Sequence, residues 1–318
     1  MANKQQSSEA FAESWLRSPG SRVESSRQKC FNGLTYINQV PMKLAVVREE
    51  IPFIKPAESA VKRAVSFDVK SKLPQNFLNK IICGSAVDVM KQMPGGSVHL
   101  VITSPPYNLK NSTGNGMKNG SKGKWANAAL QNGYSHHDDC MPHDEYVEWQ
   151  RNCLTEMMRI IPEDGAIFYN HKWRVQGGLL QDRQDIVNEF PVRQIIIWKR
   201  KGGLNFNPGY FLPTYEVIYL ITKPKFKLAE KANAHGDVWE FTQEMNNEHP
   251  AAFPVSLIDR IVSATDAEII LDPFMGSGTT AISAINFKRD YIGIDISPEY
   301  CEMARERIKQ HQAQAKLW

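Results

Sequence analysis

A strand–turn–helix–strand pattern near the carboxyl terminus constrains the fold more than any other feature of the sequence. Apolar residues 268–271 predict a strand, residues 281–285 predict a helix, and residues 291–296 predict a second strand. In the turn between the first strand and the helix, Gly276 and Gly278 allow the backbone to approach a ligand closely. A glycine turn in this position is typical of nucleotide-binding α/β folds.

The turn differs from the two common phosphate-binding patterns. The segment Asp272-Pro-Phe-Met-Gly-Ser-Gly-Thr-Thr280 lacks G-x-G-x-x-G spacing, and no lysine follows its glycines. Asp295 lies at the end of the second strand, about twenty residues further on, where a carboxylate can accept hydrogen bonds from ribose hydroxyls. We therefore expect a nucleoside ligand that is bound without a phosphate grip. The alternative is an ordinary tight turn beside a solvated aspartate.

A second motif, Ser104-Pro105-Pro106-Tyr107, follows the predicted strand at 98–103. Proline has a fixed φ and no N–H, so the turn is stiff and its carbonyl oxygens are free to face a cleft. Together with the serine hydroxyl they can accept hydrogen bonds from an amino group, while the tyrosine stacks on the flat ring that carries it. Alone, the run is also compatible with an ordinary corner between a strand and a loop.

Together the two motifs resemble those of the DNA amino-methyltransferases that use S-adenosylmethionine. In that family an F-x-G-x-G turn holds the methyl donor and an S/D/N-P-P-Y/F/W turn holds the flipped base. Here the proline turn precedes the glycine turn, an order that resembles the permuted β group of bacterial and phage enzymes. The resemblance covers residues 76–310.

The resemblance assigns roles to residues of both motifs. It implies a catalytic turn made of Ser104, Pro105, Pro106 and Tyr107. It also implies a set of cofactor-binding residues: Asp272, Phe274, Gly276, Gly278, Thr279, Asp295 and Ser85. Ser85 stands where many relatives carry aspartate, and a serine hydroxyl can still accept a hydrogen bond.

The chemistry expected of the catalytic turn follows from the substrate. An exocyclic amine is a poor nucleophile because its lone pair is delocalised into the ring. Hydrogen bonds to the Ser104 hydroxyl and the Pro105 carbonyl would localise that lone pair and aim it at the methyl group. Tyr107 would stack on the base, which must leave the duplex to be reached. Trp198 either flanks the target pocket or is an ordinary core aromatic.

The choice of target base depends on the residue that precedes the two prolines. In the resembled family serine before Pro-Pro usually accompanies cytosine N4 methylation, whereas aspartate or asparagine usually accompanies adenine N6 methylation. Ser104 therefore favours cytosine N4, with adenine N6 as the alternative. Carbon-5 methylation would need a Pro-Cys pair, which the sequence lacks. Methylation of RNA or of a protein amide, and a non-catalytic nucleic-acid-binding module, are further alternatives that the motif order and the intact motif residues disfavour.

Strands and helices alternate along most of the chain, which predicts a doubly wound α/β sheet. Continuous apolar runs such as 195–197 are typical of strands that are buried on both faces of a parallel sheet. The resemblance implies a Rossmann-like methyltransferase sheet that is seven-stranded and mostly parallel, with one antiparallel strand. The segments involved are strands at 80–83, 98–103, 165–169, 194–198 and 213–223, and helices at 86–93, from Asp144, and at 257–262.

Domain boundaries follow changes in composition. Residues 1–75 lack sustained periodicity and form an N-terminal extension. This extension is compatible with three interpretations: a segment packed on the core, an arm that contacts DNA, or partial disorder. Residues 76–318 form the predicted catalytic domain. Within it, residues 108–142 are an inserted loop rich in glycine, asparagine and lysine, and residues 201–248 are the candidate target-recognition region. Basic residues in or near that region are expected to contact phosphates: the run 199–203, Lys223, Lys225, Lys227 and Lys231.

Composition restricts the setting and the partners. The net charge of +4 permits binding to double-stranded DNA, and five scattered cysteines without a C-x-x-C pair predict reduced thiols. No apolar run reaches membrane-spanning length, so we expect a cytoplasmic protein with no membrane partner. A homodimer and a cognate restriction endonuclease are the further partners considered. The cluster His136-His-Asp-Asp-Cys140 with His143 matches no closed zinc spacing, so no metal is expected, and Asp144 is expected to cap the following helix.

Overall fold

The structure is a computed structural model in which residues 69–108, 141–200, 207–242 and 253–315 are described. The chain divides into two units, Met1–Val61 and Lys62–Trp318, and every described residue belongs to the second. The expectations for residues 1–68, for residues 109–140 including the cluster at 136–140, and for residues 201–206 and 243–252 lie outside the described residues.

Helices and strands alternate through the described residues as the sequence predicts. In chain order they are α1 (Val69–Lys72), β1 (Lys80–Cys83), α2 (Ala86–Lys91), β2 (Leu100–Thr103), α3 (His143–Ile160), β3 (Ala166–His171), β4 (Arg174–Gln176), β5 (Leu179–Gln181), α4 (Gln184–Val187), β6 (Val192–Lys199), β7 (Tyr215–Thr222), β8 (Val238–Glu240), α5 (Val255–Ser263), β9 (Ile269–Asp272), α6 (Thr279–Asn286), β10 (Asp290–Asp295) and α7 (Pro298–Ala315). A 3₁₀ turn lies at Ala232–Ala234.

One large sheet organises these elements, with the strand order β1-β10-β9-β2-β3-β7-β6-β8. Neighbouring strands are parallel except where β7 pairs with β3 and β6. The doubly wound, mostly parallel sheet with one antiparallel strand is therefore confirmed. The strand number differs from the expected seven, because the three-residue strand β8 pairs with the outer side of β6. Three residues are too few to give a periodic signal in the sequence.

The core lies on both faces of this sheet. Strands β2, β3 and β9 are buried at every position, which is why their sequences are continuously apolar. On one face they pack against α2 and α3, through residues such as Met90 and Met157. On the other face α5, α6 and α7 contribute residues such as Leu257, Ala281 and Ile308.

The carboxyl ends of the parallel strands meet at one edge of the sheet. The register pairs Cys83 with Asp295, Gly293 with Asp272, and Thr103 with Tyr169. The catalytic turn leaves β2 and the glycine turn leaves β9 at this same edge. In open α/β sheets, ligands bind in the crevice outside these strand ends.

The direction of β7 determines where the predicted phosphate-binding lysines lie. Because β7 is antiparallel, it ends at the opposite edge, where the Lys223 N–H donates to the Gly165 carbonyl (3.1 Å). The Lys225 N–H donates nearby to the Glu163 carbonyl (2.9 Å). Ala229 keeps the following segment at that edge by donating to Ala264 (2.9 Å), just before β9. The backbone of residues 223–229 therefore lies at the edge opposite the catalytic turn, and contact of these lysines with phosphates stays a prediction.

Asp272 joins three elements at the functional edge. This last residue of β9 is only 3% exposed. Its Oδ1 accepts hydrogen bonds from Thr103 Oγ1 (3.0 Å) and from the Phe274 N–H (3.1 Å), and its Oδ2 accepts one from Thr280 Oγ1 (2.7 Å). Burial raises its pKa to about 6, although these hydrogen bonds oppose the shift. The carboxylate therefore links β2, the glycine turn and α6 at a desolvation cost.

Replacing Gly293 in β10 by alanine should destabilise the fold. A Cβ at this position would meet Met275 Cε at 2.5 Å and Ile81 Cδ1 at 2.6 Å, so the side chains around the strand would have to shift. We expect a loss of about 1–3 kcal/mol in the free energy of unfolding, measured by urea denaturation. Gly236→Ala is the matched control, because nothing lies within 4 Å of its added Cβ. Equal stability of the two variants would contradict this packing.

Replacing Asp272 by asparagine should change how stability depends on pH. A carboxyl whose pKa is raised by folding stabilises the native state at low pH, and that contribution is lost as the pH rises through about 6. Relative to Asp272→Asn, the wild-type protein should therefore lose about 2–3 kcal/mol of stability between about pH 4 and about pH 7. Denaturant titrations at both pH values measure the difference. Parallel pH profiles would show that Asp272 is not titrating in this range.

Candidate functional site

The catalytic turn is held against helix α3 by hydrogen bonds to one of its two proline carbonyls. The Pro106 carbonyl accepts hydrogen bonds from the Tyr146 hydroxyl (2.9 Å) and from Gln150 Nε2 (3.2 Å). Tyr169 on β3 supports this arrangement by donating to Gln150 Oε1 (2.6 Å). Within the described residues, the Pro105 carbonyl keeps its acceptor capacity, as the sequence analysis requires of it.

Tyr107 lies at the centre of a buried polar network. Its hydroxyl is 2.5 Å from Ser104 Oγ and donates to Glu216 Oε2 at 3.1 Å. The ring is 7% exposed, and its centroid lies 4.8 Å from that of His171. The turn therefore presents the Ser104 hydroxyl in a fixed relation to the aromatic ring.

Asn170, Glu216 and Arg200 complete this network. Asn170 and Glu216 were not predicted from the sequence, and Arg200 was predicted to have a different role. Asn170 Nδ2 donates to the Tyr107 hydroxyl (2.6 Å) and to Glu216 Oε2 (2.7 Å). An ion pair joins Arg200 to Glu216 Oε1 (3.0 Å), with the two side chains 14% and 7% exposed. The three residues lie on different strands and belong to no local motif. The only signal available was a polar residue at the end of an apolar run.

The pairing of Arg200 corrects a prediction about phosphate contacts. Arg200 belongs to the basic run 199–203 that was expected to grip phosphates, yet its guanidinium pairs with the buried Glu216. Lys199, next to it, pairs with the exposed Glu240 at 3.0 Å. Both cations thus have acidic partners within the protein, and the rest of the run lies outside the described residues.

His171 packs beneath the Tyr107 ring as a neutral imidazole. Burial lowers its pKa well below the usual value, and the nearby guanidinium of Arg183 lowers it further. Its Nε2 lies 2.7 Å from the Tyr146 hydroxyl, so the ring is fixed in orientation. The aromatic ring of the catalytic turn therefore rests on a rigid, uncharged support.

The glycine turn has a backbone conformation that favours glycine. Gly276 and Gly278 have φ values of +50° and +84°, which residues with a side chain rarely adopt. The Gly276 N–H donates to Asp295 Oδ2 and the Ser297 N–H donates to Asp295 Oδ1, both at 2.9 Å. Asp295 is partly exposed. It therefore fixes the turn and still offers oxygen lone pairs at the surface.

The other predicted cofactor residues fall into two groups. Phe274 is half-buried and contacts Trp149 edge-on (5.7 Å), and Ser85 precedes α2 without making a capping hydrogen bond. Both lie at the functional edge and expose part of their surface. Asp272 and Thr279 are instead buried and bonded within the protein, Thr279 to Arg307 at 3.0 Å. Asp272 and Thr279 therefore hold the glycine turn in its conformation.

One apolar residue at this edge was missed by the sequence analysis. Ile296 directly follows Asp295, and 47% of its surface is exposed. An exposed apolar side chain beside a surface carboxylate suits a ligand with a flat ring and a sugar. Its position at the end of an apolar strand gave no reason to single it out.

Two other predictions are decided by the structure. Trp198 is a core aromatic: it is 2% exposed, donates to the Phe241 carbonyl (3.0 Å) and packs against Phe253. Helix α3 begins at His143 with Pro142 as its N-cap, so Asp144 lies in the first turn and does not cap the helix.

The described residues contain no group of three or more histidine, cysteine, aspartate or glutamate side chains that could hold a metal ion. None of their helices combines the length and apolar character needed to cross a membrane.

The residues at the edge fit an adenosine cofactor. Asp295 can accept hydrogen bonds from ribose hydroxyls, Ile296 offers an apolar surface to a purine, and Ser85 has a hydroxyl without a capping bond. The backbone at Gly276 and Gly278 can approach a ligand closely. This set lies on the same edge as the Ser104 hydroxyl, because Thr103 is hydrogen-bonded to Asp272.

Known sequences match this chain over most of the described region. A family model for DNA methylases matches residues 98–306. The Type II methyltransferase M.BglII of Bacillus subtilis is 30% identical over 279 residues, covering 74% of this chain and 70% of the relative. M.HpaI of Haemophilus parainfluenzae is 30% identical over 258 residues, covering 72% and 74%.

Solved structures show the same fold. A putative DNA modification methylase of Thermus thermophilus, complexed with S-adenosyl-L-methionine, aligns with a TM-score of 0.54 at 22% identity, covering 73% of this chain and 94% of that one. The cytosine-N4-specific PvuII DNA methyltransferase aligns with a TM-score of 0.55 at 16% identity, covering 71% and 84%. Since the family model spans most of the chain and both motifs, the chain belongs to the DNA methylase family, the S-adenosylmethionine-dependent DNA amino-methyltransferases.

Proposed function

We propose that this enzyme methylates the exocyclic N4 amine of cytosine at a specific site in duplex DNA, after the base has left the helix. The observation that carries the proposal is the Ser104 hydroxyl at the end of β2. It lies one residue from Thr103, which is hydrogen-bonded to the first residue of the glycine turn (3.0 Å). A group bound by the glycine turn and a base bound at Ser104 would therefore be neighbours.

Ser104 and Pro105 would prepare the amine for transfer. The Ser104 oxygen and the Pro105 carbonyl would each accept one hydrogen bond from the amine, which draws the nitrogen lone pair out of conjugation and orients it. When bound, S-adenosylmethionine supplies a methyl group on a positively charged sulfur, which keeps the electron pair of the broken bond. The protein contributes placement and charge more than a strong base.

Tyr107 would form the aromatic wall of the base pocket. Its ring is supported from one side by His171 and fixed at its hydroxyl by Asn170 and Glu216. Because little of the ring is exposed (7%), the entry of a base requires groups around the ring to rearrange. Base stacking on an aromatic side chain is worth about 1–3 kcal/mol, which favours that rearrangement.

On the cofactor side, Asp295, Ile296, Ser85 and Phe274 would contact S-adenosylmethionine through their exposed surfaces. Gly276 and Gly278 would allow close backbone approach, whereas Asp272 and Thr279 would hold the turn in shape. These roles match the burial of each side chain: partly exposed groups face the ligand and buried groups support them.

Adenine N6 methylation is the second candidate for the same site. Adenine and cytosine both present an amine with two hydrogens, so the acceptors at Ser104 and Pro105 suit either base. Serine before the two prolines favours cytosine.

The Type II relatives further support a cytoplasmic enzyme that acts beside a cognate restriction endonuclease. A second copy of the chain would supply further DNA contacts. Light scattering of the purified protein tests whether the chain forms this dimer.

Transfer of tritiated methyl groups from S-adenosylmethionine to duplex DNA tests the function directly. Digestion to nucleosides and mass spectrometry should identify N4-methylcytosine as the product. Detection of N6-methyladenine would overturn the choice of base while leaving the reaction class intact. Label found only in RNA or protein would overturn the substrate class.

Two substitutions should separate the roles of the two turns. Tyr107→Ala removes the aromatic wall and should lower methyl transfer by about 100-fold while changing cofactor affinity little. Asp295→Ala removes a ligand acceptor and an anchor of the glycine turn, so it should chiefly weaken cofactor binding, by about 10-fold or more. Calorimetric titration with S-adenosylmethionine and rate measurements at saturating cofactor distinguish them. Equal losses of cofactor affinity would refute the assigned roles.

A further inference from the structure

Glu216 is a buried acid that amine orientation by Ser104 and Pro105 does not use. It lies next to the amino end of the antiparallel strand β7 and is 5% exposed. Arg200 pairs with Oε1 (3.0 Å), which leaves Oε2 to Asn170 (2.7 Å) and to the Tyr107 hydroxyl (3.1 Å). Burying a charge costs free energy. We therefore expect a function for this buried carboxylate, which a single hydroxyl group separates from the catalytic serine.

The hydrogen bonds around Tyr107 define a direction. A phenol has a single hydrogen, and the Tyr107 hydroxyl donates it to Glu216 Oε2. Asn170 Nδ2 also donates to the phenol oxygen (2.6 Å), so this neighbour cannot take the phenol hydrogen. The short contact between Ser104 Oγ and Tyr107 (2.5 Å) is therefore donated by the serine. Ser104 thus keeps oxygen lone pairs for a hydrogen of the substrate amine.

We propose that Ser104, Tyr107 and Glu216 form a proton relay that carries the hydrogen lost by the methylated amine away from the base. This inference rests on the proposed amino-methyl transfer and adds a proton acceptor to it. When the amine nitrogen bonds to the methyl carbon it becomes positively charged, and one of its N–H bonds must break. The relay gives that proton a path through the buried side chains of Tyr107 and Glu216.

Every proton in the relay has a defined donor and acceptor. The amine proton moves to Ser104 Oγ as the serine proton moves to the Tyr107 oxygen and the tyrosine proton moves to Glu216 Oε2. Both hydroxyls are neutral before and after, and the carboxylate becomes a carboxylic acid. The contacts of 2.5 Å and 3.1 Å along the path are hydrogen-bonded, as such transfer requires. Glu216 is regenerated after the product has left, when the same transfers run in reverse and the proton passes through Tyr107 and Ser104 to water.

Two cations face Glu216, and each follows the end of a strand. Arg200, directly after β6, forms the ion pair, and Asn170 from β3 adds a neutral donor. Lys172, which follows β3, is also nearby. Burial is the main cause that lowers its pKa, and the Arg200 cation lowers this pKa further, whereas the negative charge of Glu216 raises it. Tyr107 is the one hydroxyl between Glu216 and Ser104 in these contacts.

Glu216→Gln tests the relay because glutamine keeps the size of the side chain but is a far weaker proton acceptor. Single-turnover rates of methyl transfer, with enzyme in excess, should fall about 100-fold. Binding of S-adenosylhomocysteine and of DNA should change little. The remaining rate should rise with pH, as hydroxide from solvent replaces the missing base, and this pH rescue would not follow from a purely structural defect.

Two further variants give the test its controls. Tyr107→Phe keeps the ring and breaks the relay, so the double variant with Glu216→Gln should be no slower than the slower single variant. Glu156→Gln is the matched control. Glu156 is a part-buried acid on α3, remote from the catalytic turn, and it pairs with an arginine at 2.8 Å. This variant should leave the rate of methyl transfer unchanged. Infrared difference spectra after one turnover should show a protonated carboxyl in the wild type that Glu216→Gln lacks.

The outcomes separate the relay from the function on which it rests. An active wild type with Glu216→Gln transferring methyl groups within about threefold of it at every pH would reject the relay alone. Additive losses in the double variant, or a loss explained by weaker ligand binding, would reject it as well. A wild type that methylates no DNA would overturn the proposed function and the relay together.

Discussion

The hydrogen bond from Thr103 to Asp272 joins the two halves of the site. It links the strand that ends in the catalytic turn to the strand that ends in the glycine turn, over 3.0 Å and across 169 residues of sequence. The same carboxylate accepts hydrogen bonds from the glycine turn and from helix α6. Because Asp272 is buried, its contacts are stronger than they would be in water, and its charge costs desolvation energy that these bonds offset.

The buried network around Tyr107 has the opposite character, because it is built from residues on four different elements. Ser104 and Tyr107 come from the turn after β2, Asn170 from β3, Glu216 from β7 and Arg200 from the end of β6. Only the antiparallel insertion of β7 between β3 and β6 brings an acid to this place. The order of the strands therefore determines which side chains surround Tyr107.

Prediction from sequence was most successful where the signal was local. The strands, the helices and the glycine turn each follow from a few neighbouring residues. It failed where a side chain's partner was distant in the chain. Arg200 was expected to contact phosphate and pairs with Glu216, and Trp198 packs in the core. Asp144 does not cap helix α3, because the helix begins at His143 and its N-cap position is Pro142.

The sequence by itself determined the sheet class, the two motifs and the family, because apolar periodicity, glycine and proline act within a few residues of themselves. The tertiary structure decided the direction of β7, and therefore which charges face the catalytic turn. It placed Lys223 at the far edge and Glu216 two hydrogen bonds from Ser104. Strand order and direction depend on pairing between segments far apart in the chain, and no local pattern encodes that pairing.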